Sequence, residues 1–487
     1  MLTRLKVSGF KNFLDLDVFF GPFTCVAGIN GVGKSNLFDV VRFLSALADR
    51  SLVDAAQSVR AEGKRATAVE SLFFRAGSQT VSEMSFEAEM IVPRQAVDDL
   101  GQTAKASITF LRYGLKLARR KDAASSHLGP LEIVKEELSH INLGEAHKHL
   151  PFPHRASPWR RSVVRGSRRT PFFISTEGEG KNRIIKLHQD LGGGGRPRSI
   201  SAHSLPRTVL SAATAAENPT ALVARREMQS WRLLQLEPSN LREPDDFRAP
   251  TSLATNGSHL VATLAHLAKV GHSNTKHPQV PEQTYAQVAN RLAELIEDVR
   301  DIWVDADEKR EILTLMVSSR EGTAHAARAL SDGTLRFLAL AVLEIDPRAE
   351  GLLCLEEPEN GIHPARIPAM LRLLQEIPTD VNDAVDDDNP LKQVIVNTHS
   401  PAVVSQVPDS SLLVAEPLEV LLQGKSAQSV VFRCLSDTWR AQGQGENGIV
   451  SRGQLMDYLN PIQRPRPGER PHRVADREDL QLLLPCT

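Results

Sequence analysis

Apolar residues alternate from the start of the chain. Leu5, Val7 and Phe10, then Leu14, Leu16, Val18 and Phe20, follow a period of two and predict a β-hairpin. The next run, Phe23-Thr24-Cys25-Val26-Ala27, reads as a buried strand, and Leu37-Phe38-Asp39-Val40-Val41-Arg42-Phe43-Leu44 follows as an amphipathic helix. Strand-like stretches return at Met84–Val92, Ala106–Tyr113 and Leu131–Val134 and predict a β-meander. Residues 150–207, rich in Pro, Ser and Arg with glycines at Gly192–Gly195, predict irregular backbone. A largely helical pattern covers 208–300, with one strand-like piece at Trp231–Leu236. Two strands are expected over 301–319. Helix, strand, helix, strand follow over 329–400, the order that suits a parallel sheet, and two more strands over 411–435.

Composition narrows the class. At 487 residues and 41% hydrophobic, the chain is long enough for two or three lobes with real cores. No apolar run approaches the length of a transmembrane helix, and the first residues lack the apolar region of a signal peptide. Cys25, Cys354, Cys434 and Cys486 are scattered, without metal-site or disulfide spacing, and read as thiols of a cytoplasmic protein. The net charge of −1 points to no partner by itself. No internal repeat and no sustained heptad is present, and the Pro/Arg-rich run Arg464–Pro471 is expected to be a flexible tail.

The clearest chemistry is Gly28-Ile29-Asn30-Gly31-Val32-Gly33-Lys34-Ser35-Asn36, placed where a strand turns into a helix. Average residue frequencies produce this pattern roughly 2% of the time in a chain of this length. Glycines let backbone N–H groups converge on a phosphate, and the helix dipole points the same way. Asn30, Gly31, Gly33 and Asn36 belong to that cradle; Lys34 would reach the terminal phosphates and Ser35 would hold Mg²⁺. The ligand so implied is a nucleoside triphosphate, ATP, with Mg²⁺.

Four further pieces follow in order. Leu330-Ser331-Asp332-Gly333-Thr334-Leu335-Arg336 opens an apolar helix, with Ser331 as its N-cap. Leu352-Leu353-Cys354-Leu355 delivers Glu356 and Glu357 at the C-terminal edge of a strand. Glu356 would enter the Mg²⁺ shell and Glu357 would orient or deprotonate water. Glu359-Asn360-Gly361-Ile362-His363-Pro364 forms a turn, and Val394-Ile395-Val396-Asn397-Thr398 ends in His399, which would contact the terminal phosphate.

This order resembles the head of ABC-type ATPases, and within them the SMC, RecF and OLD group. The markers are Phe10-Lys11-Asn12-Phe13, Lys34-Ser35-Asn36, the 330–336 segment, and Glu357-Pro358-Glu359 with His363-Pro364; they cover about 1–50 and 325–405. The resemblance implies an α/β fold: a P-loop ABC-type head with a mixed sheet, a β-meander lobe and a helical insertion. It divides the chain into a first part of the head (1–82), a meander with a basic insertion (83–210), a helical subdomain (211–300), a second part of the head (301–440) and a C-terminal helix and tail (441–487). It also implies ATP hydrolysis with Glu357, His399 and Lys34 as catalytic residues, and a homodimer or higher oligomer in which Ser331 and Gly333 complete the partner's site. Glu356 stands where the family has Asp, which slows the expected hydrolysis, and Gln235 is the candidate for the family's glutamine loop.

A long coiled coil is excluded, because the roughly 300 residues between the motifs carry no heptads. Only 88 residues follow His399, without an acidic D-x-D cluster, so a nuclease of the OLD kind would be a separate protein. Across 151–210, twelve Arg and Lys face three acids, and Trp159, Phe172 and Phe173 interleave, which implies DNA as a partner. The acidic run Asp383, Asp386, Asp387 and Asp388 reads as a solvated loop. Three readings stay open: a DNA-linked ATPase driving a nuclease effector in defence against phage, a nucleotide-gated scaffold with little turnover, and a RecF-like repair ATPase.

Overall fold

The parallel strands that carry the motifs are almost wholly buried, Gly351–Glu356 at all but its last residue. Phe23–Ala27 is buried at all five positions and Lys392–Thr398 at all seven, as expected for interior strands covered on both faces. In the computed structural model, which describes residues 1–59, 69–120, 129–166, 170–190, 196–270, 281–422, 424–442 and 448–459, they belong to a six-stranded sheet. Its order is Arg232–Leu234, Gly351–Glu356, Lys392–Thr398, Phe23–Ala27, Leu412–Leu422 and Lys425–Arg433. The first five run parallel and the last is antiparallel, so the sheet is mixed. The P-loop helix, Ser35–Leu47, packs against the edge strand Arg232–Leu234 and the helix Pro219–Gln229. The signature helix, Asp332–Ile345, packs against Pro281–Leu295, Pro238–Arg242 and Ile367–Glu376. Residues 1–450 form one compact unit, and a second, 451–487, contributes the helix Arg452–Leu459.

The predicted hairpin forms between Leu2–Phe10 and Phe13–Phe19. It does not stand apart from the meander. Leu2–Phe10 pairs with Glu83–Ile91, so both belong to one eight-stranded antiparallel sheet. The meander strands are longer than expected: the second is Phe110–Arg119 where Ala106–Tyr113 was predicted, and the third is Leu131–His140. The stretch 150–207, expected to be irregular, adds three short strands, Phe172–Glu177, Ile184–Leu187 and Arg198–Ser201. They escaped the pattern because they are short and charged at the sheet's edge, with only Phe173, Ile174, Ile185 and Leu187 buried. Arg168, Arg169, Gly192–Gly195, Cys486 and the Arg464–Pro471 tail lie outside the described residues. A small sheet built on the hairpin Val299–Asp307 and Ile312–Ser319 completes the fold.

Aromatic packing joins the sheet to the P-loop helix. The Phe10 ring lies 5.8 Å from that of Phe43 and 5.5 Å from that of Phe86, uniting hairpin, helix and meander. Cys25, Cys354 and Cys434 are buried free thiols, and burial raises all three above the ordinary thiol pKa.

A buried carboxylate ties the meander to the segment that follows it. Glu136 is fully buried and accepts hydrogen bonds from Val209 N (2.7 Å), Leu210 N (2.8 Å) and Tyr113 Oη (3.2 Å). Burial outweighs these donors and raises its pKa to about 7. The folded state therefore holds this proton after the unfolded chain has released it. Its contribution to stability is present below the ordinary carboxylate range and is lost as pH rises through about 7. The loss is on the order of 3 kcal/mol. Glu136→Gln should flatten this part of the profile, and denaturant midpoints at mildly acidic and mildly basic pH check it. Equal pH slopes for both chains would contradict the assignment.

Candidate nucleotide site

The P-loop is held from below by the Lys11-Asn12 turn. Lys11, in the left-handed region at φ 48°, places its Nζ 2.7 Å from Asp39 Oδ2 on the P-loop helix. Asn12 Nδ2 donates to Val32 O at 3.2 Å. Gly33 has φ 104°, and a Cβ there would lie 1.9 Å from Asn12 Nδ2, so position 33 excludes a side chain on two counts. Asn12 had been a family marker only; the structure makes it the brace of the loop.

Lys34 is 6% exposed and donates to Gly28 O at 2.6 Å and Ile29 O at 3.0 Å. Burial lowers its pKa, while Glu357, Glu359 and Glu356 pull the other way. Lys34 therefore faces a carboxylate cluster delivered by the neighbouring strand.

That cluster is built by the turn after Gly351–Glu356. Glu357 sits in the left-handed region at φ 47°, a costly conformation for a non-glycine residue. Asn397 pins it there: Glu357 N donates to Asn397 O at 3.0 Å and to Asn397 Oδ1 at 3.2 Å. The Glu357 carboxylate accepts from Asn360 Nδ2 at 2.9 Å and meets His399 Nδ1 at 2.5 Å. Glu359 is buried beside it, where burial raises its pKa, and accepts from the Thr398 hydroxyl. The acidic turn and the histidine strand are thus bonded to each other at Asn397, Thr398 and His399.

These elements surround one cavity of about 680 Å³. Asn30, Gly31, Gly33, Lys34, Ser35, Asn36, Glu356 and Glu357 all line it. His399 reaches it through Glu357. Gln235 also lines it, as does Arg336. Arg336 Nη1 donates to Asn360 O at 2.8 Å and its Nε to Leu236 O at 3.1 Å, linking the signature helix to the acidic turn and to the strand of Gln235. The linear pattern places Arg336 in the 330–336 marker and Asn397 in a buried strand, but their contacts with the acidic turn join elements distant in sequence.

Ser331 and Gly333 do not line this cavity. Ser331 caps its helix, accepting from Thr334 N at 3.3 Å. Gly333 lies against the acidic turn, where an added Cβ would stand 2.2 Å from Gly361 O. Arg242 bonds Leu330 O and Asp332 and so anchors the same loop to the helical insertion.

The donor set fits a magnesium nucleotide. The loop residues Asn30, Gly31 and Gly33 and the Lys34 side chain border space for phosphates, and the Ser35 hydroxyl and Glu356 carboxylate offer the oxygen ligands a hard divalent ion takes.

The fold is α/β with a mixed sheet, of the kind found in P-loop ABC-type heads, and the cavity lies where the parallel strands end against the P-loop. A family model described as "AAA domain, putative AbiEii toxin, Type IV TA system" matches residues 176–405, just under half of the chain and without the P-loop. The chromosome partition protein Smc of Thauera aminoaromatica is 33% identical over 139 residues, covering 26% of this chain and 11% of that protein. This chain thus spans a small part of the curated relative it matches. Among solved structures, an Smc head bound to the C-winged helix domain of ScpA aligns over 89% of this chain and 98% of that one, at 13% identity and a TM-score of 0.44. The Smc head of Pyrococcus furiosus with an extended coiled coil, bound to the C-terminal domain of ScpA, gives 89% and 96% coverage, 12% identity and a TM-score of 0.42. These are loose likenesses in overall shape.

Proposed function

We propose that this chain is a Mg²⁺-dependent ATPase that pairs with a second copy on binding ATP and works in the cytoplasm with a separate effector. The observation that carries this reading is the convergence of Lys34, Ser35, Glu356 and Glu357 on one cavity, with His399 bonded to the Glu357 carboxylate.

Lys34 and the loop N–H groups bind the phosphates. Ser35 and Glu356 would hold the Mg²⁺, which would supply charge neutralisation at the phosphates. Glu357 accepts the proton of the attacking water, and His399 and Asn360 fix its carboxylate for that purpose. Arg336 positions the turn that carries Glu357. Ser331 and Gly333, outside their own cavity, act on the nucleotide of the second copy.

The effector is a nuclease and the setting is DNA-linked defence against phage. The family description, which names a putative toxin of a type IV toxin–antitoxin system, supports a role in a bacterial conflict system. The basic segment within 151–210 supports contact with DNA. A second reading, a nucleotide-gated scaffold with little turnover, is favoured by one observation, Glu356 at the metal-binding position.

Phosphate release by the full chain, measured with Mg²⁺ and with a chelator, tests the reading. His399→Ala should lower turnover about 10-fold or more while ATP binding persists, because it frees the Glu357 carboxylate without touching the phosphate cradle. Turnover no higher than in a Lys34→Ala chain would favour the scaffold. Full turnover in His399→Ala would remove His399 from the mechanism.

A further inference from the structure

A second cleft, of about 470 Å³, adjoins the nucleotide cavity, and Gln235 lines both. Its walls are the second half of the P-loop helix with the turn after it, the end of Pro219–Gln229, and the edge strand Arg232–Leu234. Four guanidinium groups line it, those of Arg42, Arg50, Arg226 and Arg232. Arg226 is committed to Asp99 at 2.7 Å and Val97 O at 2.8 Å. The one lining carboxylate, Asp49, is engaged by Gln229 at 3.3 Å and Arg225 at 3.6 Å. Arg42 and Arg50 are exposed, and their guanidinium groups make no hydrogen bond or ion pair among the described residues. Ser45 and Thr255 add hydroxyl donors to the same wall.

We infer that this cleft binds a ligand carrying two or more phosphoryl groups, either the backbone of a nucleic acid or a free polyphosphate. A concave wall with surplus positive charge concentrates polyanions. Guanidinium groups without partners among the described residues can grip phosphate in their forked geometry, and neutral hydroxyls complete such contacts. The site lies outside 151–210, so it is independent of the basic segment there. It is also independent of ATP hydrolysis, and its failure would leave that reading intact.

Binding of a labelled single-stranded oligonucleotide and of inorganic tripolyphosphate to the full chain tests it, in wild type and in Arg42→Glu/Arg50→Glu. Both positions are exposed, and a thermal melt checks that the variant folds. Oligonucleotide affinity should fall about 10-fold or more in the variant, and the salt slope should drop by about 1.4 for two lost single-strand contacts. If tripolyphosphate competes and loses affinity in the same variant, the ligand is a free polyphosphate; if only the oligonucleotide responds, it is a nucleic acid. Tripolyphosphate held by the P-loop instead would be indifferent to both substitutions. Unchanged affinity for both probes overturns the inference. So does binding of poly-glutamate, but of neither phosphate probe, that depends on Arg42 and Arg50.

Discussion

Lys34→Ala is expected to weaken Mg-ATP binding by about 100-fold or more, close to 3 kcal/mol. Two effects add. The variant loses charge-assisted hydrogen bonds to phosphate, typically 1.5–3 kcal/mol. It also leaves the carboxylates of Glu356, Glu357 and Glu359, whose fields act on Lys34, facing the anionic ligand with Arg336 as the remaining lining cation. Titration calorimetry on wild type and variant measures the difference. Equal affinities would mean that the nucleotide phosphates are not held at this loop.

Glu357→Gln is expected to reduce turnover by about 10²–10⁴-fold with ATP still bound. The amide keeps the size of the side chain but cannot take a proton from water. The backbone should not relax, since Asn397 holds position 357 through its N–H group, which the substitution leaves in place. The strain at φ 47° is met by these bonds and by the pairing of Glu356 with Asn397 in the parallel ladder. Loss of turnover with retained binding would thus be a chemical effect rather than collapse of the turn. Retained turnover would remove Glu357 from the role of base.

Much of the site was legible because its parts sit at the ends of strongly apolar strands. Cys25–Ala27 leads into the P-loop, Leu352–Leu355 into Glu356 and Glu357, and Val394–Val396 towards His399, and parallel pairing brings the three ends together. Gln235 was legible for the same reason, following an edge strand. What was not legible depends on contacts distant in sequence. Asn12 matters because it fills the space beside Gly33. Arg336 matters because it bonds two carbonyls on separate elements. Asn397 reads as one more residue of a buried strand until the left-handed turn at Glu357 is seen across from it. The strands Ile184–Leu187 and Arg198–Ser201 were missed because four residues with charges give no clear period.

Sedimentation velocity of Glu357→Gln with and without Mg-ATP reads ATP-driven pairing of two copies itself. A single-copy species is expected without nucleotide, and a stable two-copy species with ATP that a further Ser331→Arg substitution disperses. A chain that stays single with saturating ATP bound would contradict that pairing.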